Sequence, residues 1–459
     1  MSNQNLENIS ALDGRYQSKL TEIAKHTSEK ALFKYRVEVE CKWFLCLANN
    51  PDIKELPLLK KKQILDVEKI FKEFSLADAR RIKEIEEATN HDVKATEYFV
   101  KERLTDISGL KNSIEFVHFG CTSEDINNLA YALMLADCRV ILISLMDDLI
   151  NQIIQLASSN EDLSILSRTH GQAASPSTIG KELSVFTTRL TIQRNQLNQV
   201  NILGKMNGAV GNFNAHKVAY PDIDWIAESS NFVKTIGLKP NLVTTQIEPH
   251  DYIAEYFHVI IRFNQILLDF NQDIWHYIAL DYFEQLQIKT ETGSSTMPHK
   301  INPIDFENSE GNLGIANALL AHIASKLQVS RWQRDLSDST VLRNIGSAIG
   351  HSYLSYKSSI RGIKRLKVNK ASIAEDLEAN WAVLAEAIQT VMRKYGSIEP
   401  YEKLKTLTRG KPLTRESYQQ LLNQLEIPEK AQMELSKLRP DNYVGLASTL
   451  ATLKNTDKV

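Results

Sequence analysis

The chain has 459 residues, with 54 Lys and Arg against 56 Asp and Glu, for a formal net charge of −2. That balance excludes the basic excess with which a nucleic-acid binder neutralises phosphates, so no nucleic-acid partner is expected. At 43% hydrophobic and 24% charged residues the composition excludes gross disorder, and a length of about 150 residues per domain suggests roughly three domains.

The first sixteen residues, MSNQNLENISALDGRY, show no basic segment followed by an apolar core, so no secretory leader is read and the cytoplasm is the expected location. No run reaches the roughly 18 uninterrupted apolar residues that nominate a span, so no membrane partner is expected. Cys41, Cys46, Cys121 and Cys138 include no CxxC pair and read as reduced structural thiols.

Taken along the chain, the architectural signal is where Gly and Pro are missing: 121–170, 251–292 and 315–345 contain neither. At about 1.5 Å per residue the second run could extend roughly 60 Å as a helix. Between the first two runs, 204–212 (GKMNGAVGN) reads as an irregular connection and 237–250 as a second turn-rich passage. Within 251–280, Glu255, His258, Arg262, Gln265, Asp269, Gln272 and His276 recur every three or four residues as one narrow polar stripe. A helix apolar around the rest of its circumference is buried on more than one side, and several such helices favour a bundle shared between subunits. Asn302-Pro303 before Ile304-Asp305 resembles a cap, a proline at the first helical position and an acid in the first turn. Beyond about 365 the helices shorten, separated by Gly396, Pro400, Gly410, Pro412, Pro428 and Pro440. The expected fold is all-α, with an amino-terminal domain over 1–120, a central long-helix bundle over 121–365 and a carboxy-terminal domain over 366–459.

GxGxxG, GxxxxGK[ST], GxSxG and HExxH are absent, and the eleven histidines form no cluster with metal-like spacing. No metal or other cofactor is expected. Four segments carry candidate chemistry. Asn90-His91-Asp92 reads locally as a turn, and Thr122-Ser123-Glu124-Asp125 as a helix cap with two acids in its first turn. Ser167-Arg168-Thr169-His170-Gly171-Gln172 places a histidine before a glycine at the end of the first helical run, where an imidazole can project and titrate near neutral pH. A lone histidine is more often structural. In 293–303, GSSTMPHKINP, small residues, a lysine and a helix start combine as an anion site, although a surface loop has the same composition.

Together these segments resemble a known family. GSSTMPHKINP is similar to the signature loop of the aspartase/fumarase superfamily, which eliminates fumarate from succinyl-containing substrates. DGRY at 13–16, TNHDVKA at 89–95, HFGCTSEDINN at 118–128, SRTHGQ at 167–172, TTQIEPHDY at 244–252 and RWQRDLSDSTVLRN at 331–344 resemble its adenylosuccinate lyase family, of the bacterial type. The likeness spans nearly the whole chain. It departs mildly at Ala173, where many relatives have Pro, and at His299, which varies.

The resemblance implies a three-domain, nearly all-α homotetramer with a long central helical bundle and active sites shared between subunits. It also implies β-elimination of fumarate from adenylosuccinate, giving AMP, and from the succinyl-carboxamide ribotide SAICAR, giving AICAR. Residue by residue, it assigns Ser294 as base, preferred by alignment over the adjacent Ser295, which the sequence alone separates only weakly, and His170 as acid, with His91 the lesser candidate for the proton donor. Lys300 and Asn302 would hold the developing carbanion charge, and Thr122, Ser123 and Gln246 the succinyl carboxylates. Arg15, Tyr16, Arg334, Ser339 and Arg343 would hold the ribose phosphate, with Asn90, His91 and Asp92 lining the site. Lyases acting on argininosuccinate, aspartate or malate need no phosphate clamp. A non-catalytic helical assembly protein would have no reason to keep Ser294, His170, Lys300 and Asn302 together.

Overall fold

A computed structural model describes residues 7–286, 297, 300–408 and 413–453. Helices dominate, and the strands are two or three residues long, so the fold is all-α as expected. The elements used below are α1 (Glu29–Ala48), α2 (Leu76–Thr89), α3 (Asp92–Thr105), α4 (Ser123–Ser158), β1 (Arg168–Thr169), β2 (Gln172–Ala173) and α5 (Ile179–Gln199). They continue with α6 (Asp251–Ala279), β3 (Phe283–Gln285), α7 (Ile304–Leu327), α8 (Ser337–Leu342), α9 (Ile345–Ile363), β4 (Leu366–Val368) and α10 (Lys370–Glu378).

The chain forms two compact units. One comprises 1–146, 193–264 and 311–355, and the other 147–192, 265–310 and 356–459, so every division falls inside one of the long helices α4, α5, α6, α7 and α9.

The long helices follow the sequence pattern with two corrections. The Gly- and Pro-free run 121–170 is not one helix: α4 stops at Ser158 and the chain continues as short strands. Likewise 251–292 holds a 29-residue helix, α6, followed by β3. Absence of Gly and Pro permits a helix without compelling one. In α6, Glu255, His258, Arg262, Gln265 and Gln272 are exposed, while Tyr256, Phe257, Ile260, Phe263, Leu267, Phe270 and Ile274 are buried within this single chain. Over 36 residues, α4 is apolar and long enough to cross a membrane by length and composition. The uninterrupted-run criterion passes over it because Asp137 and Arg139 break the apolar stretch. Half of its most apolar window is buried inside the protein, as in a core helix.

In the first unit the core centres on Trp43 and Phe44 of α1, with Phe232 in edge contact at 5.0 Å from Trp43. The GKMNGAVGN connection is irregular but far from a loose surface loop. Lys205 is fully buried, with its Nζ 3.1 Å from the equally buried Asp125 of α4. Asp125 also accepts from the backbone N–H groups of Asn207 and Gly208. Gly211, at φ +81°, sits where a Cβ would lie 2.4 Å from the Thr244 carbonyl oxygen, so only glycine fits.

In the second unit a buried polar seam joins α6, α7 and α9: Asn271 donates to Ser309 at 3.0 Å, and the Ser359 hydroxyl donates to Asn271 Oδ1 at 2.8 Å and shares a hydrogen bond with the Ser309 hydroxyl, also at 2.8 Å. β3 pairs antiparallel with β4, which opens the region of short helices expected beyond about 365. Trp381, Leu384, Ile388, Tyr418, Leu422 and Leu435 form its hydrophobic cluster. All four cysteines are free thiols, as expected.

Candidate active site

In the first unit Asn90-His91-Asp92 is a corner between two helices. Asn90 closes α2 in the left-handed conformation (φ +52°), and His91 caps α3 by accepting the Lys94 N–H on Nδ1 at 3.2 Å. Asp92 opens α3, where the helix dipole favours an anion. Its Oδ2 receives two guanidiniums, Arg36 and Arg343, each at 2.8 Å. Burial alone would raise the Asp92 carboxyl, but Arg36 and Arg343 hold it below the usual carboxylate range.

From Asp92 the network runs inward. The buried Arg36 donates from Nε to Asn127 at 2.8 Å, and Asn127 donates to Glu124 Oε1 at 3.1 Å. Arg334 stands 3.3 Å from the same oxygen, with its other terminal nitrogen 3.8 Å from Asp338 of α8. Arg334 also reaches Gln246 at 3.4 Å, and Gln246 is anchored to the Ala209 carbonyl at 2.9 Å. Four expected residues, Asp92, Gln246, Arg334 and Arg343, therefore meet in one network. Ser339 is half-buried on α8, and its N–H donates to Asp338.

Thr122 and Ser123 lie at the start of α4, where the Thr122 N–H donates to Asp125 at 2.8 Å. The capping role read from the sequence is present, and Asp125 ties that helix start to the buried connection at 205–208. Just upstream, His118 (φ +62°) sits against the fully buried Glu40, its Nδ1 at 2.6 Å and its N–H donating at 3.1 Å. Burial works to lower the imidazole pKa, but the Glu40 charge and hydrogen bond outweigh it and raise His118. Arg15 and Tyr16 lie in a turn, the Tyr16 N–H bonded to Ala11 at 2.9 Å. No hydrogen bond or ion pair joins Arg15 to the network among the described residues.

In the second unit His170 is not at a helix end. It occupies, with Gly171, the two-residue tip of the β1–β2 hairpin, in which Thr169 pairs with Gln172. Both tip residues have positive φ (+53° and +74°), the pattern of the hairpin turn that matches strand twist. The imidazole is exposed. The hairpin is braced by Arg168, which pairs with Asp376 of α10, itself held by the Tyr282 hydroxyl at 2.5 Å.

Lys300 is exposed and Asn302 half-buried just before α7. The Pro303 carbonyl accepts the first helical N–H groups, from Phe306 and Glu307, so the cap lies one residue later than expected. The expected acid, Asp305, is buried and paired with Arg361 and Arg365. Ser294 and Ser295 lie outside the described residues.

Sequence reasoning missed Arg36, Asn127, His250 and Asp338, and read Glu124 only as a capping acid. Glu124, His250 and Asp338 bring one ligand-type atom each to within 4.8 Å of one another, all buried. Nothing in local spacing announces this meeting, because its members come from three distant segments.

A family model described as lyase matches residues 14–317, and one described as adenylosuccinate lyase C-terminal matches 330–444. The adenylosuccinate lyase of Escherichia coli (strain K12) is 53% identical over 451 residues, covering 98% of this chain and 99% of that one. That of Haemophilus influenzae is 52% identical, covering 96% and 97%. Among solved structures, a fumarate lyase from Mesorhizobium sp. BNC1 aligns with TM-score 0.74 at 15% identity, covering 94% and 96%. The 3-carboxy-cis,cis-muconate lactonizing enzyme from Pseudomonas putida aligns with TM-score 0.73 at 17%, covering 94% of each. At such identities the structural likeness speaks for the fold alone.

Proposed function

The chain belongs to the adenylosuccinate lyase family, and from that premise we propose that it splits adenylosuccinate into AMP and fumarate, and SAICAR into AICAR and fumarate. The observation that carries the reading is the network joining Asp92, Arg343, Arg334 and Gln246, since a lyase without a nucleotide substrate has no need of arginines gathered from such distant segments.

The reaction removes a proton from the carbon beside a carboxylate while the C–N bond at the neighbouring carbon breaks. An anti elimination needs a base and an acid on opposite faces of the succinyl group. Ser294 takes the proton and His170 supplies one to the departing nitrogen. A hydroxyl is basic only where positive potential stabilises its alkoxide, which Lys300 and the start of α7 supply. The carbanion spreads into its carboxylate as an aci-carboxylate, held by Lys300 and Asn302. Thr122, Ser123 and Gln246 grip the succinyl carboxylates, with Ser295 beside the base. Arg15, Tyr16, Arg334, Ser339 and Arg343 hold the phosphate, while Asn90, His91 and Asp92 line the site. The exposed tip position of His170 suits an acid that reaches a substrate held elsewhere.

The working form is a homotetramer in the cytoplasm, with three domains per chain (1–120, 121–365 and 366–459) and each site built from several subunits. The outward row of α7 supports assembly: Gly311, Gly314, Ile315, Ala318 and Ala321 are exposed, and small residues let a second helix approach closely. A coupled assay of adenylosuccinate loss and fumarate gain tests the activity. One fumarate per adenylosuccinate consumed is expected, and no turnover of either nucleotide would refute it.

A further inference from the structure

Beneath Arg334 lies a group of buried atoms that the elimination itself does not use. Glu124, His250 and Asp338 are 1%, 2% and 5% exposed. Glu124 Oε2, Asp338 Oδ2 and both ring nitrogens of His250 have no hydrogen-bond partner among the described residues. Carboxylates and an imidazole buried together with these atoms unpartnered are costly to hold in their charged forms, so the cluster does not keep every ionisable group charged.

We propose that Glu124, His250 and Asp338 form a buried carboxyl–imidazole cluster that carries one proton on a carboxyl group and thereby positions Arg334 for the nucleotide phosphate. The proposal rests on the phosphate-binding role given to Arg334 above. The groups facing the cluster are Asn127 from α4, Glu248, Asp251 and Tyr252 around the start of α6, and Arg334 before α8. Glu248 is occupied by the His250 N–H and by Asn241, with its carboxylate 3.6 Å from His250 Nδ1. Glu124 and Asp338 against one guanidinium, with the buried Glu248 beside His250, leave net negative charge if all are ionised, and one proton on the cluster reduces it. Burial drives the His250 pKa down to about 4, so the ring is neutral and offers one donor and one acceptor. Burial and then the neighbouring Glu124 charge raise Asp338, which makes it the proton's natural seat. When that proton leaves, a second ionised carboxylate draws the guanidinium inward, away from the substrate.

The test is the pH profile of KM for adenylosuccinate across the neutral and alkaline range. In the wild type KM rises more than kcat falls, approaching about tenfold per pH unit above the cluster's midpoint, since only the protonated fraction is competent. In Asp338→Asn that rise disappears. A second readout needs no turnover: the infrared carbonyl band of a protonated carboxylic acid at neutral pH, present in the wild type and lost in Asp338→Asn and in Glu124→Gln. An unchanged KM profile in a folded Asp338→Asn protein overturns the proposal. So does absence of the band, or a stoichiometric metal retained by the wild type and lost in His250→Gln. Failure of turnover in the wild type, with the band intact, would strike the proposed activity and leave the cluster standing.

Discussion

The guanidinium of Arg343 lies 2.8 Å from the carboxylate of Asp92, 251 residues earlier in the chain. Because Asp92 is also held by Arg36, it stays ionised and anchors the Arg343 guanidinium. Arg343→Ala removes a contact made equally to ground and transition states, so KM for adenylosuccinate should rise while kcat changes little. A charged hydrogen bond worth about 1.5–3 kcal/mol implies a rise of roughly 10–100-fold. Steady-state kinetics checks this, and a selective fall in kcat at constant KM would contradict the assignment.

Lys205→Met should destabilise the protein by about 3–5 kcal/mol, because it leaves the fully buried Asp125 without its cation. Asp125 orients the Thr122 N–H and two amides of the connection, so the lost stability should come with a higher KM. The denaturant midpoint measures the first effect. A midpoint matching the wild type would show that the pair carries no structural weight.

His118 gives a pH dependence of defined sign. Its folded pKa is raised above the ordinary 6.5 by Glu40, so the stabilisation is complete below about 6.5 and fades as pH climbs through the raised midpoint. Melting curves of the wild type and His118→Gln should therefore draw together as pH rises above neutrality. A gap that widens with pH would invert the argument.

Helix positions and the polar stripe of α6 were legible in the sequence because a helix buried on several sides must repeat its polar residues every three or four positions. The extent of α4 was not, since residues 159–170 break the helix with neither Gly nor Pro. The hairpin at His170 had a signal, a His-Gly pair between Thr169 and Gln172, which also reads as a helix end. Asn90-His91-Asp92 showed its turn but not its partners, because Arg36 and Arg343 reach Asp92 only through tertiary packing. His250 and Asp338 left no trace in spacing for the same reason.

The elimination asks for an acid and a base carried by segments 124 positions apart, and the shared-site reading places them on different subunits. Mixing inactive Ser294→Ala and His170→Ala proteins under conditions of subunit exchange tests this directly. Sites receiving one intact copy of each residue should form in roughly a quarter of random combinations, restoring adenylosuccinate cleavage to about that fraction of wild type. Proven exchange without any recovered fumarate release would contradict the account.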